Sequence, residues 1–434
     1  MATPISHWLL EQEARALLTR LGKVKPFALH MTMVSAAAIS AAAQTAIETH
    51  MTKSRRELNN LVLQFLSWLL SPAGQLSKPA EAQRRFTFLR MRFNAVISHF
   101  DIFADVLVQR SEHETGVWVA GLDAVATDAL QLRGGYFKAP PMICYVDRGH
   151  GAAIRRARTR LPGGGDNPVA IIRIPRERMV SSGIASSLVH EVGHQGAALL
   201  DLVNSLRPVL RGMQENSGEQ RIAWQLWERW LSEIVADFWA VAKVGIAATM
   251  GLMGVVSLPR AFVFRVDTED PHPIPWMRMK LSCAMGQALY PHPQWANLAR
   301  LWGAYYPPDG LDVERRNLLA TLTATMPGFV ALLKNHRPAA LRGQTLVEAM
   351  NVQQRQPAQL AAYYRDWGDQ PSQMRDAPPT LVFAVIGQAR ADGRITPEAE
   401  SRLLTESLTY WATRTSLDSS ASCATPTFAP ARMF

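Results

Sequence analysis

The chain has 434 residues, 48% of them apolar and 19% charged; that length suits two or three domains, and that composition supports a buried core and excludes wholesale disorder. Lysine and arginine outnumber the acids 46 to 36, a formal charge of +10, which fits a soluble protein with a basic surface and leaves a nucleic-acid partner as the alternative. Cys144, Cys283 and Cys423 are odd in number and far apart, which excludes a disulfide scaffold and a cysteine-built zinc finger.

The opening stretch MATPISHWLLEQEARALL alternates apolar with charged residues and lacks a basic leader pattern. The expected location is therefore cytoplasmic, with export by a leaderless route as the alternative. Residues 1–132 read as helix, punctuated by Pro4, Pro26, Pro72 and Pro79. Between 80 and 132 apolar residues recur at spacings of three and four, as in Phe86, Leu89, Phe93, Val96, Phe100, Phe103 and Leu107, which predicts a helix with one buried face. Two short runs rich in strand formers follow, PMICYV at 141–146 and VAIIRI at 169–174. The basic passage between them, RRARTRLPGGGD at 155–166, lacks the Lys-Ser/Thr ending of a phosphate loop and reads as a flexible connection.

Helix returns over 182–206 and again over 219–250. Residues 244–258 are uncharged, but these 15 positions fall short of a bilayer span, which takes about 20; no transmembrane segment is predicted. Residues 259–275 are irregular, and 276–414 are mostly helical with breaks at Pro307, Pro327, Pro338 and Pro378-Pro379. Thr396-Pro397-Glu398 has the hydroxyl, proline and acid of a helix start. The small, polar residues 415–434 predict a disordered tail.

The chemistry is concentrated in SSLVHEVGHQGAALL. His190 and His194 stand one helical turn apart on one face, so both rings can reach one ion. Zinc suits neutral imidazoles in tetrahedral geometry. Glu191 is placed to take a proton from water instead of ligating the metal. A chain of this composition meets the pattern by chance roughly once in a hundred. Leu188, Val189, Val192, Ala197 and Leu200 make the surrounding helix apolar, and a buried cluster of this kind without a partner would be costly. Gly193 costs helix stability, which small size beside an ion would explain.

A third ligand is required. Glu233 lies 39 residues beyond His194 in WLSEIVADFWA, among Trp227, Trp230, Leu231, Ile234, Val235, Phe238 and Trp239, which leave little polar face. Asp237 follows one turn later, where it can accept the second ring N–H of a ligand histidine and fix its tautomer.

HEVGH followed by Glu-x-x-x-Asp resembles the gluzincin metallopeptidases. DPHPIPWMRMKL, with His272 and, six residues on, Arg278, resembles the His-Pro…Arg element of CaaX-type and HtpX-like peptidases. The resemblance covers roughly residues 168–290. Those peptidases are membrane proteins, a point at which this chain departs from them. The resemblance implies a hydrolase with His190, His194 and Glu233 as ligands of one zinc per chain, Glu191 as catalytic base, Asp237 behind the ligands, and His272 and Arg278 as catalytic groups steadying the substrate carbonyl. By analogy with zincin folds, the strand at 169–174 would edge the cleft and pair with an extended peptide.

The expected fold is mainly α with a small β-sheet (α+β). A zincin-like metallopeptidase domain at 136–310 would be flanked by an N-terminal helical domain at 1–135 and a C-terminal helical region at 311–414. The expected function is a zinc metalloendopeptidase acting on a protein or peptide. The alternatives are a non-catalytic zinc-binding interaction module and a basic, nucleic-acid-associated peptidase. Other residues are read as structural: His150 and His292 as loop residues, His99 and His113 as helix residues, Cys283 as a small core residue, and Trp224, Trp227 and Trp230 as core.

Overall fold

The structure is a computed structural model describing residues 5–27, 32–148, 151–176, 181–267 and 269–424. It is mainly helical with one three-stranded sheet. Before the sheet come α1 (Ile5–Lys23), α2 (Ala41–Leu70), α3 (Pro72–Gln75), α4 (Pro79–Val108) and α5 (His113–Leu130). Ser40 and Ser71 cap α2 and α3 by accepting from Ala43 N and Gly74 N. Pro72 and Pro79 stand in first turns, where no N–H is needed. Leu17, Leu58, Val62 and Phe86 close α1, α2 and α4 around a core of their own.

The sheet comprises β1 (Met142–Asp147), β2 (Ala153–Arg155) and β3 (Ala170–Pro175), in the order β1-β3-β2. β1 runs parallel to β3, with Met142 opposite Ala170, and β2 runs antiparallel, with Ile154 opposite Ile172. β3 is thus the central strand and not the edge expected at 169–174; β2 is outermost on its side. The passage expected to be a flexible connection contributes β2 and then a hydrogen-bonded turn. Leu161 N donates to Gly165 O, and Gly163, Gly164 and Gly165 adopt φ of 77°, 105° and 87°. Three successive positive φ values need glycine.

After the sheet come α6 (Ser182–Leu199), α7 (Leu202–Glu215), α8 (Arg221–Arg229), α9 (Leu231–Val244), α10 (Ile246–Val256) and α11 (Arg260–Val263). The single helix expected over 182–206 is broken at Leu200 and Asp201, and Asp201 takes φ 52°. The helix expected over 219–250 is three, broken at Trp230 and Gly245. The chain continues with α12 (Pro275–Leu289), α13 (Pro293–Tyr305), α14 (Val313–Asn335), α15 (Leu346–Met350), α16 (Pro357–Asp369), α17 (Pro371–Asp376), α18 (Pro379–Ala391) and α19 (Pro397–Ala424). α19 therefore extends ten residues into the tail expected to be disordered; residues 425–434 lie outside the described residues.

Apolar packing is shared across positions 135 and 310. One apolar cluster joins Leu122 and Val125 of α5, Ile172 of β3, Val189 of α6, Trp239 of α9, Phe329 of α14, Val385 of α18 and Leu408 of α19. Among the described residues one helix, α14, is long and apolar enough to cross a membrane. Its Leu319, Leu322, Met326, Phe329, Val330 and Leu333 are buried in that same cluster.

α6 and α9 lie at the centre. They meet where α6 has no side chain: a Cβ on Gly193 would stand 2.8 Å from Ala236 Cα and 2.9 Å from Trp239 Cβ, and one on Gly196 would stand 2.4 Å from the Trp239 ring. Gly193 thus serves helix–helix contact, not room beside an ion. Trp239 is locked from behind, its Nε1 donating to Ala129 O at 3.0 Å. Gly193→Ala should lower stability by about 2 kcal/mol through overpacking, read as a reduced urea midpoint. An unchanged midpoint would contradict this account of the contact.

Candidate metal centre

Three contacts hold α6 in place. Ser181 caps it by accepting from Gly183 N at 3.2 Å, and the buried Glu400 of α19 accepts from Ser182 N at 2.9 Å. Both place acceptors where the first turn has free N–H groups and a positive dipole end. Further along, Gln195 Oε1 accepts from Ala157 N at 2.8 Å, tying the helix to the segment after β2.

On that helix the His190 and His194 rings stand edge to face, with centroids 4.8 Å apart. α9 presents Glu233 and Asp237 to them. Glu233 Oε2 lies 3.2 Å from His190 Nε2, and Oε1 lies 3.4 Å from His194 Nε2. One ligand atom from each of His190, His194 and Glu233 falls within 4.8 Å of the others. Asp237 Oδ1 accepts from His190 Nδ1 at 2.7 Å, which leaves Nε2 turned toward Glu233. His194 Nδ1 faces Ser232 Oγ at 3.4 Å. No spacing rule would single out Ser232; it is found only once α6 and α9 are set side by side.

Two further groups approach from beyond α11. His272 places Nε2 3.2 Å from Glu233 Oε2, while its Nδ1 is 2.8 Å from Asp270 Oδ1. Arg278, on the first turn of α12, donates from Nε to Asp237 Oδ2 at 2.7 Å and from Nη2 to Asp237 Oδ1 at 2.9 Å. Its distance to Glu233 Oε2 is 4.0 Å. Its fork is thus spent on Asp237, so Arg278 reaches the His pair through that carboxylate.

The electrostatics follow from this arrangement. Burial by itself would raise the pKa of Asp237, but Arg278 and His190 outweigh it and keep the carboxylate ionised. Burial likewise opposes ionisation of Glu233, and His190, His194 and His272 outweigh it. Burial lowers the basicity of His190, yet Asp237 and Glu233 raise its pKa to about 9. Glu191, 8% exposed, has its pKa raised by burial, with His190 and His194 opposing. It lines a cleft of about 140 Å³ together with His190, Asp237, His272 and Arg278. Ala240, Ala248 and Leu252 form the apolar side of that cleft.

The donor set fits a divalent cation. Glu233 Oε2 is buried and makes no hydrogen bond, although two imidazole nitrogens stand 3.2 Å away. The three groups lie near enough to hold one metal ion, and two imidazoles with a carboxylate are a donor set of the kind zinc takes. The contact of His190 Nδ1 with Asp237 would supply the outer support that a metal-ligating histidine needs.

The other singled-out residues lie elsewhere. His292 caps α13, its Nδ1 accepting from Gln294 N at 3.3 Å. Cys283 is buried in α12, and burial pushes its thiol up to about 12. Trp224, Trp227 and Trp230 are buried, and Trp227 Nε1 donates to Thr325 Oγ1. His150 is outside the described residues. No protein family, curated protein or solved structure matches the chain.

Asp237→Asn keeps the shape of the side chain and removes its charge. It should destabilise the fold by about 3 kcal/mol, because Arg278, only 12% exposed, loses its carboxylate. Adding Arg278→Leu should recover part of that loss. Thermal unfolding of the single and double variants checks both; equal midpoints for wild type and Asp237→Asn would contradict the buried charge pair.

Proposed function

We propose that this protein is a zinc-dependent endopeptidase with a zincin-like catalytic region, in which His190, His194 and Glu233 hold one zinc per chain. The observation that carries this reading is the convergence of His190 Nε2, His194 Nε2 and the Glu233 carboxylate, with Glu191 next to His190 in sequence and lining one cleft with it. Bound zinc would supply Lewis acidity, lowering the pKa of water toward about 7 and polarising a carbonyl oxygen.

The remaining work falls to the chain's own side chains. Glu191, its pKa raised by burial, takes the proton from the attacking water and gives it to the departing amine. His272 is half-exposed at the cleft and oriented by Asp270, so it can turn from Glu233 toward a substrate oxygen that gains negative charge. Arg278 is a positioning residue. It fixes Asp237, and Asp237 fixes the tautomer and ring plane of His190. A protein or peptide is the substrate class, since the cleft lies beside an outermost strand.

The test is cleavage of a mixed peptide library, read by mass spectrometry, with the zinc-loaded protein. Glu191→Gln should cut the rate by at least about 100-fold while zinc content and unfolding midpoint stay at wild-type values. Wild-type cleavage by Glu191→Gln would overturn the assignment of the base, and no cleavage by wild type would overturn the peptidase reading.

A further inference from the structure

The sheet has two buried faces. Cys144, Ile172 and Ile174 join the core that contains α6, whereas Ile143 and Ile171 pack with Phe100, Phe103 and Val106 of α4. On the α4 side lies a second hollow, of about 570 Å³, away from the His190 cleft. Arg155, Arg156, Arg173, Tyr145 and Thr159 line it, and Asp105 is its one carboxylate. Arg173 stands across the sheet from Tyr145 on one side and Ala153 on the other. Among the described residues neither Arg155 nor Arg156 has a carboxylate within ion-pair distance. The nearest acid to Arg173 is Asp147 at 3.9 Å, and Arg173 Nε is buried without a hydrogen-bond partner. Three guanidinium groups against the carboxylates of Asp105 and Asp147 leave a net positive charge that suits an anion.

The hollow and the cleft share one stretch of chain. Gly151 and Ala152 line the cleft with His190 and Glu191, and Ala153 to Arg156 line the hollow. β2 has no strand on its outer side among the described strands. A peptide laid along that side would alternate its side chains between the two faces of the sheet. One set would face α6 and the cleft, and the other would face the arginines. An extended chain advances about 3.3 Å per residue, so Arg155 lies about three to four residues from the cleft.

We propose that this hollow is a substrate subsite for acidic side chains. The preferred substrate is a peptide with Asp or Glu about four residues from the scissile bond, on the side that runs along β2. This inference rests on the peptidase reading and names its substrate class. An acidic peptide is favoured over nucleic acid because Ile102, Val106, Ile154 and Ile171 form apolar walls and Tyr145 is the sole aromatic lining residue. A single strand is held by successive aromatic platforms along a cationic track.

The test compares peptides carrying Glu with matched Gln peptides, cleaved by the full chain loaded with zinc. Wild type should favour Glu by about tenfold in kcat/KM, mainly through KM. In Arg155→Glu/Arg173→Glu the Glu-to-Gln ratio should fall to one or below, whatever the absolute rate. Arg155→Gln serves as a milder variant should the double one fail to fold. A wild-type ratio of one overturns the proposal. If wild type cleaves nothing, the peptidase reading fails, and the subsite is judged by fluorescence anisotropy with labelled Glu and Gln peptides. Binding selective for Glu and lost in the arginine variants supports it, and equal binding overturns it. Displacement of the Glu peptide by a single-stranded oligonucleotide at lower concentration than by unlabelled Glu peptide would also overturn it, in favour of a nucleic-acid site.

Discussion

α6 and α9 approach so closely at Gly193 and Gly196 that their backbones and the Trp239 ring take the place of side chains. Everything at the candidate centre depends on that approach. His190, nearly one turn before Gly193, and His194, the next residue after it, face α9, and α9 presents Glu233 and Asp237 to them. A bulkier contact would push the imidazoles away from the carboxylates. The cost of glycine within a helix, about 1 kcal/mol per position, is offset by the apolar burial of Trp239, Val192 and Val235.

The second constraint is charge. Asp237 is buried and serves two donors, His190 on Oδ1 and Arg278 on both oxygens. Burial by itself would raise the pKa of a carboxylate there; Arg278 and His190 outweigh it and lower that of Asp237. Glu233 is different: its Oε2 faces two imidazoles and bonds to neither. Asp237 is thus satisfied by hydrogen bonds within the protein, while Glu233 is held by its charge contacts with His190, His194 and His272. That asymmetry separates a supporting residue from a proposed ligand. Unsatisfied buried polar groups are kept where function uses them.

Much of this was legible in the sequence, for local reasons. The His190 and His194 spacing is a property of any helix, and the apolar runs around Cys144 and Ile172 place β1 and β3 within a residue or so. What was not legible depends on distant partners. β2 has three residues and is a strand only because β3 lies beside it. The fork of Arg278 closes on Asp237 across 41 residues of sequence. Gly193 looks like a local weakness until Ala236 and Trp239 are placed against it. The helix broken at Asp201 has an unbroken apolar pattern, and only the turn into α7 shows where it stops. The single apolar core to which α5, α14 and α19 all contribute depends on such distant contacts as well.

The central claim is that His190, His194 and Glu233 form one zinc site. The most direct measurement is elemental analysis of protein stripped with chelator, reloaded with zinc and freed of excess, for wild type and for Glu233→Gln. The account predicts one zinc per chain in wild type and a weakened or lost ion in the variant, with both proteins folded. Folded wild type that takes up no zinc, or a variant that holds it as tightly, would contradict the site.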